Sequence, residues 1–147
     1  MKVMIGSDHG GFELKQEVLK HLIERGDEPV DVGCYEPVSC DYADIAVAGC
    51  ALIQSGECER GVLICGTGVG ISMAANKCRG IRAACCSDTF TARFTRMHND
   101  ANVICFGGRV VGPGLACDIV DAYLDAEFEG GRHQRRIDKI AAIEEGR

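Results

Sequence analysis

No apolar run in the sequence approaches the ~20 residues that a membrane span requires, so a transmembrane helix is excluded. Proline is scarce, with 3 residues, and no Pro/Ser-rich stretch, internal repeat or low-complexity tract breaks the chain. A linker is therefore not expected, and residues 1–147 read as one domain. Basic residues are outnumbered, 16 Lys and Arg against 22 Asp and Glu, for a net charge of −6. That balance rules out a broad cationic footprint for nucleic acid or anionic lipid. The opening run Met1 to Gly6 meets Asp8 and His9 too soon for an export signal, so a cytoplasmic location is expected. Metal-ligand spacing is missing as well: there is no C-x-x-C, and His9, His98 and His133 lie far apart. Neither a metal nor an organic cofactor is expected. No G-x-S-x-G elbow offers a serine nucleophile.

What the chain does have is 10 cysteines and 19 glycines. A disulfide framework belongs to short secreted chains with poor cores, and this chain is long enough to bury a real one. Nine cysteines read as small hydrophobes filling the interior. Only Cys65 has neighbours that suggest chemistry.

Short apolar runs alternate with amphipathic stretches along the whole chain. Val3 to Ile5, Pro29 to Gly33, Gly61 to Cys65, Ile81 to Cys86 and Asn102 to Phe106 read as strands. Helices are expected over 12–25, 43–55 (capped from Asp41 to Asp44), about 70–77 and 88–97, where Phe90, Phe94 and Met97 would line one face. Leu115 to Leu124 marks another, and a last one follows Gly130-Gly131 over about 132–145. Strict alternation predicts an α/β, doubly wound, Rossmann-like sheet of five parallel strands, helices on both faces and a C-terminal helical tail. Ligands in such sheets sit beyond the carboxyl ends of the strands.

Four stretches carry candidate chemistry. In Cys65-Gly66-Thr67-Gly68-Val69-Gly70, alternate glycines between a strand and a helix expose successive N–H groups as a cradle for an anion. The same helix start favours a thiolate at Cys65. A plainer reading is a tight turn beside a buried cysteine. A dinucleotide site with Asp88 as the ribose acid is a rival, but its third glycine is at the wrong offset. Asp8-His9 pairs an acid with an imidazole at a strand end, or simply caps the next turn. His98-Asn99 offers a general acid/base and a neutral donor, or simply ends a helix. Arg132 and Arg136 stand at i and i+4, so a helix turns both forks to one face, suited to a phosphate, while Arg135 points away. The plainer reading there is a solvated basic helix end.

Taken together, these stretches resemble ribose-5-phosphate isomerase of type B, a family that includes the galactose-6-phosphate isomerase subunits. The likeness rests on Gly6 to Phe12, Asp41-Tyr42, Ile64 to Ser72, Ala74 to Lys77, Gly80 to Ala83, His98 to Asn102, Phe106-Gly107, Arg109 to Gly112 and Glu129 to His133. It runs the length of the chain in order; Ala43 stands where the family usually carries a proline. The resemblance implies interconversion of ribose 5-phosphate and ribulose 5-phosphate through a cis-enediolate, without metal, as a step of the pentose phosphate pathway. It gives Cys65 the role of base and Thr67 that of proton carrier between the oxygens. The amides of Gly66, Thr67, Gly68, Val69 and Gly70 would hold the enediolate oxygen. His98 would open the furanose ring with help from Asp8. His9, Arg132 and Arg136 would bind the phosphate, with Tyr42, Asn99 and Arg109 lining the sugar. It further implies a homodimer, with a tetramer as the alternative, whose His98 and Asn99 serve the partner's Cys65. A six-carbon sugar phosphate is the alternative substrate, and a nucleotide-binding or redox-sensing module is the alternative class.

Overall fold

The computed structural model describes residues 1–146 and converts the alternating pattern into five strands, six α-helices and a short 3-10 turn. Strands are β1 (Lys2–Ser7), β2 (Glu28–Asp31), β3 (Arg60–Cys65), β4 (Ala83–Cys85) and β5 (Val103–Gly107). Helices are α1 (Phe12–Arg25), α2 (Tyr42–Gln54), α3 (Val69–Ala75), α4 (Thr89–Asn99), α5 (Pro113–Asp125) and α6 (Arg132–Glu144). All strand pairs are parallel and the order is β2-β1-β3-β5-β4. The expected α/β class and five-stranded sheet are thus observed, with α6 as the helical tail.

Every residue of β1 from Val3 to Ser7 is buried, as a strand covered on both faces requires. Alternate side chains feed two cores. Val3, Ile5, Val62, Ile64, Ile104 and Phe106 pack against α1, α4 and α5. Met4, Leu63, Cys65, Val103 and Cys105 pack against α2 and α3. Register aligns Ser7 with Ile64 and Cys65 with Gly107, so the loops after β1, β3 and β5 meet at one edge. The chain leaves β1 and β3 on opposite faces there, which opens the crevice of a doubly wound sheet.

Several local expectations need correction. β4 is shorter than Ile81 to Cys86, because Arg82 gives its N–H to the Asn102 side chain at 2.8 Å instead of to a ladder. Asp41 precedes α2, but its side chain makes no capping hydrogen bond. The face of α4 that enters the core is Ala92, Thr95 and Arg96; Phe90 is 63% exposed. The aromatic residues instead form an outer ladder in which Phe90 stacks on Phe94, centroids 4.4 Å apart. Nor are nine cysteines core filler. Cys50, Cys58, Cys86 and Cys105 are buried beside Cys65, but Cys34, Cys40, Cys78 and Cys117 are half-buried and Cys85 is exposed. Cys34, Cys40 and Cys78 sit in loops, Cys85 ends β4 and Cys117 lies within α5, positions where hydrophobicity alone does not decide burial.

One buried charge shapes the ground next to the crevice. Lys15 of α1 is fully buried, and its Nζ donates to Asp31 Oδ1 at 2.8 Å, to Oδ2 at 3.1 Å and to the Cys34 carbonyl. Removing the countercharge leaves the ammonium stranded, whereas an apolar side chain of similar length needs no partner. Asp31→Asn is expected to lower unfolding free energy by about 3 kcal/mol and Lys15→Met by much less. Urea denaturation of both variants measures the difference, and equal losses would remove the stranded-charge account.

Candidate active site

The crevice is built by close backbone approach. Gly68 sits at φ +82°, and a Cβ there would come within 2.7 Å of the Phe106 backbone, so only glycine fits. Gly107 is equally constrained, by the Thr67 backbone at 2.6 Å. Gly108 and Arg109 then tie down the loop from the β5 side, donating to the carbonyls of Cys65 and Gly66 at 2.8 and 3.1 Å. The Arg109 guanidinium lies over Gly66, with Nη1 3.3 Å from where a Cβ would stand. The Tyr42 ring covers Gly70 in the same manner.

Cys65 ends β3, 4% exposed, and its Sγ accepts the Gly68 N–H at 3.1 Å. That hydrogen bond holds the sulfur beneath the glycine loop. Thr67 is exposed at the loop tip and its Oγ1 accepts the Val69 N–H at 3.3 Å. The expected five-amide cradle is therefore smaller. Two of its donors, on Gly68 and Val69, already serve Cys65 and Thr67.

Asp8 does double duty. Its Oδ1 accepts the N–H groups of Gly10 and Gly11 at 2.9 and 3.2 Å, capping the 3-10 turn His9–Gly11. That turn presses Gly10 against Gly66, which brings Asp8 and His9 alongside the Cys65 loop. His9 is exposed, and its Nδ1 accepts the Cys40 N–H at 3.3 Å. With Nδ1 used as acceptor, the ring proton falls to Nε2.

The remaining predicted residues are elsewhere. α4 starts at the carboxyl edge of the sheet and returns to the amino edge, where Arg82 donates to the carbonyls of Asn99 and Asp100 at 3.0 and 2.8 Å. Eleven residues of helix separate the two edges by ~16 Å. His98 and Asn99 thus belong to a second cluster, away from Cys65 of the same chain. Here His98 Nε2 lies 3.4 Å from Glu129 Oε1, and its ring stacks on His133 with centroids 4.1 Å apart and planes 10° from parallel. Phe94 meets the other side of His98 edge-on, extending the aromatic ladder to the imidazoles. Arg132 and Arg136 are exposed on the first turns of α6 beside them. A cleft of about 760 Å³, lined by Arg82, Thr95, Asn99, Ile140 and Ile143 among others, lies on this side too.

Glu129 and His133 lie in the last of the resembling stretches, which assigns neither a role. His133 is buried, and its Nε2 has no hydrogen-bond partner among the described residues. Desolvation, His98 and Arg132 push its imidazole below the usual range. Donor atoms of His98, Glu129 and His133 lie within 4.8 Å of one another. Stacked rings place their lone pairs in parallel planes, however, and Arg132 and Arg136 repel a cation, so the trio fits a metal poorly. The dinucleotide rival also loses its acid: Asp88 caps α4 through the Thr91 N–H at 2.6 Å and the Thr91 hydroxyl at 2.9 Å. Those bonds hold its carboxyl below the usual carboxylate range.

Comparison with known proteins places the chain in a narrow group. A family model described as Ribose/Galactose Isomerase matches residues 3–140. The sequence is 52% identical over 146 residues to ribose-5-phosphate isomerase B of Escherichia coli (strain K12), covering 99% of this chain and 98% of that one. Among solved structures, ribose-5-phosphate isomerase B of Clostridium thermocellum superposes with a TM-score of 0.98 at 53% identity, covering 99% of each chain. The Mycoplasma genitalium ribose-5-phosphate isomerase B with bound ribulose-5-phosphate gives a TM-score of 0.94 at 42% identity, covering 99% of this chain and 97% of that one. No described helix is long and apolar enough to cross a membrane.

Proposed function

The chain belongs to the ribose/galactose isomerase family, and from that premise we propose that it interconverts ribose 5-phosphate and ribulose 5-phosphate through a cis-enediolate, with Cys65 as the base. The observation that carries the reading is the Cys65 thiol, seated beneath the glycine loop with the Gly68 N–H on its sulfur. Proton abstraction next to a carbonyl needs a base held against the reacting carbon and donors fixed where negative charge develops. The Cys65 thiolate takes the C2 proton of the open-chain aldose and returns it to C1. Thr67 passes the hydroxyl proton between O2 and O1. The amides of Gly66, Thr67 and Gly70 face the enediolate oxygen, and Arg109 and Tyr42 bound the sugar.

Ring opening and phosphate binding need the second cluster, which one chain cannot bring to its own Cys65. A homodimer in which each protomer lends His98, Asn99, Arg132 and Arg136 to its partner's crevice supplies both. His98 then carries the proton that opens the furanose, and Glu129 orients its imidazole. The arginine forks, with the Nε2–H of His9, hold the phosphate away from the base. The reaction is cytosolic sugar-phosphate metabolism and draws on no cofactor.

A coupled assay on five- and six-carbon aldose phosphates, run with and without EDTA, tests this reading. Turnover of ribose 5-phosphate, unchanged by EDTA, is the expected result. Turnover confined to a six-carbon substrate, or abolished by EDTA, contradicts it.

A further inference from the structure

The loop between β2 and α2 carries two thiols that the isomerase reading does not use. Cys34 and Cys40 are both free and half-buried on one loop, and burial together with the neighbouring Cys34 thiol pushes the Cys40 thiol above its usual range. Both line a small open cavity of about 360 Å³. Cys34 is the anchored member: its N–H donates to the Ser7 carbonyl, and its own carbonyl accepts Lys15 Nζ. Cys40 is the freer member, tied to His9 Nδ1 through a 3.3 Å hydrogen bond from its N–H, at the long end of the normal range. A second thiol pair, Cys50 and Cys78, makes a useful contrast. Cys50 is fully buried, and burial pushes its thiol up to about 12, which closes it to soluble oxidants.

We propose that Cys34 and Cys40 form a reversible intramolecular disulfide, a modification site for low-molecular-weight disulfides such as oxidised glutathione, and that closing it withdraws Cys40 from His9. In the first step the thiolate of one cysteine attacks a sulfur of oxidised glutathione. Its S–S bond breaks and one glutathione leaves as a thiolate, which takes up the proton released by the protein. In the second step the other cysteine, deprotonated by solvent, attacks the protein sulfur of the mixed disulfide and expels the second glutathione. The protein loses two electrons and two hydrogens, and oxidised glutathione is reduced to two thiols. Bonded sulfurs lie ~2.05 Å apart, well inside the contact distance of two separate thiols, so the pair must draw together. Cys34 is fixed to β1 and Lys15, so Cys40 moves and its bond to His9 breaks.

The consequence rests on the reading of His9 as a phosphate ligand: a weaker hold on His9 raises KM and leaves kcat, set at Cys65, nearly unchanged. The test treats the full chain with oxidised glutathione, alkylates remaining thiols under denaturing conditions and maps peptides by mass spectrometry. A peptide linked through Cys34 and Cys40, reversed by dithiothreitol, with Cys50 and Cys78 still alkylated, is expected. KM for ribose 5-phosphate should rise about three- to tenfold, the loss of one charge-assisted hydrogen bond. Cys34→Ser should keep the untreated KM and show no response to oxidised glutathione. Failure to link Cys34 to Cys40 overturns the site. A linked peptide with unchanged KM overturns the coupling to His9, and an equal KM rise in Cys34→Ser places the effect elsewhere. Absence of any turnover in the reduced protein counts against the isomerase reading instead, since the peptide map stands without it.

Discussion

Cys65→Ala is expected to lower kcat by about 10²–10⁴-fold while leaving KM for ribose 5-phosphate within about tenfold. The sulfur is the group seated beneath the glycine loop, where the proposed reaction brings the carbon-bound proton. The residues assigned to the sugar and phosphate are other side chains and backbone amides. Losing a base that acts only in the transition state lowers kcat and kcat/KM together and spares ground-state binding. The fold should survive the change, because the loop's shape is set elsewhere. Gly68 and Gly107 fix it by contact, and Gly108 and Arg109 fix it by hydrogen bonds to the carbonyls of Cys65 and Gly66. Steady-state kinetics with a thermal melt separates the two effects. A variant that keeps near-wild-type kcat removes Cys65 from the chemistry, and one that melts early leaves the kinetic loss to misfolding.

His98→Asn is expected to cost about 10²-fold in kcat or more, although His98 stands at the opposite edge of the sheet from Cys65 of its own chain. The imidazole is held between Phe94 and His133 and faces Glu129 at 3.4 Å, a setting that orients a proton carrier. Asparagine preserves size and polarity there without an imidazole to carry a proton. Side-chain exposure of 35% means that the substitution removes little packing. A circular dichroism spectrum and melting temperature close to wild type, together with the lost turnover, separate chemistry from folding.

Much of this was legible before any coordinates. Continuous apolarity in Val3 to Ile5 and Gly61 to Cys65 marks strands covered on both faces, and the glycines after Cys65 mark the tight loop that packs against Phe106 and Gly107. Strand order was not legible. Placing β5 between β3 and β4 depends on which crossover spans its neighbour, and no local residue pattern encodes that. The aromatic spacing of α4 misled for a related reason. Phe90 and Phe94 recur at helical period, yet the core on that side is already filled by Ile104, Phe106 and Tyr123, so small Ala92 packs inward. The roles of Glu129, His133 and Cys40 depend on contacts between distant segments, such as the Glu129 N–H on the Met97 carbonyl at 3.0 Å. Composition cannot register such contacts. Likewise the sequence offers Asp8 as either a cap or a site residue; the structure shows the cap, which holds Asp8 beside the Cys65 loop.

The claim on which the account turns is that each crevice is completed by a second copy of the chain. Mixing the two inactive variants tests it most directly. Cys65→Ala and His98→Asn proteins are unfolded together, refolded and assayed on ribose 5-phosphate. Random pairing makes half of the dimers mixed, and in each mixed dimer one crevice has both Cys65 and the partner's His98 intact. Recovery of about one quarter of wild-type activity is predicted. A mixture no more active than its parents, with mixed dimers present by native mass spectrometry, would show that His98 does not serve the Cys65 of another chain.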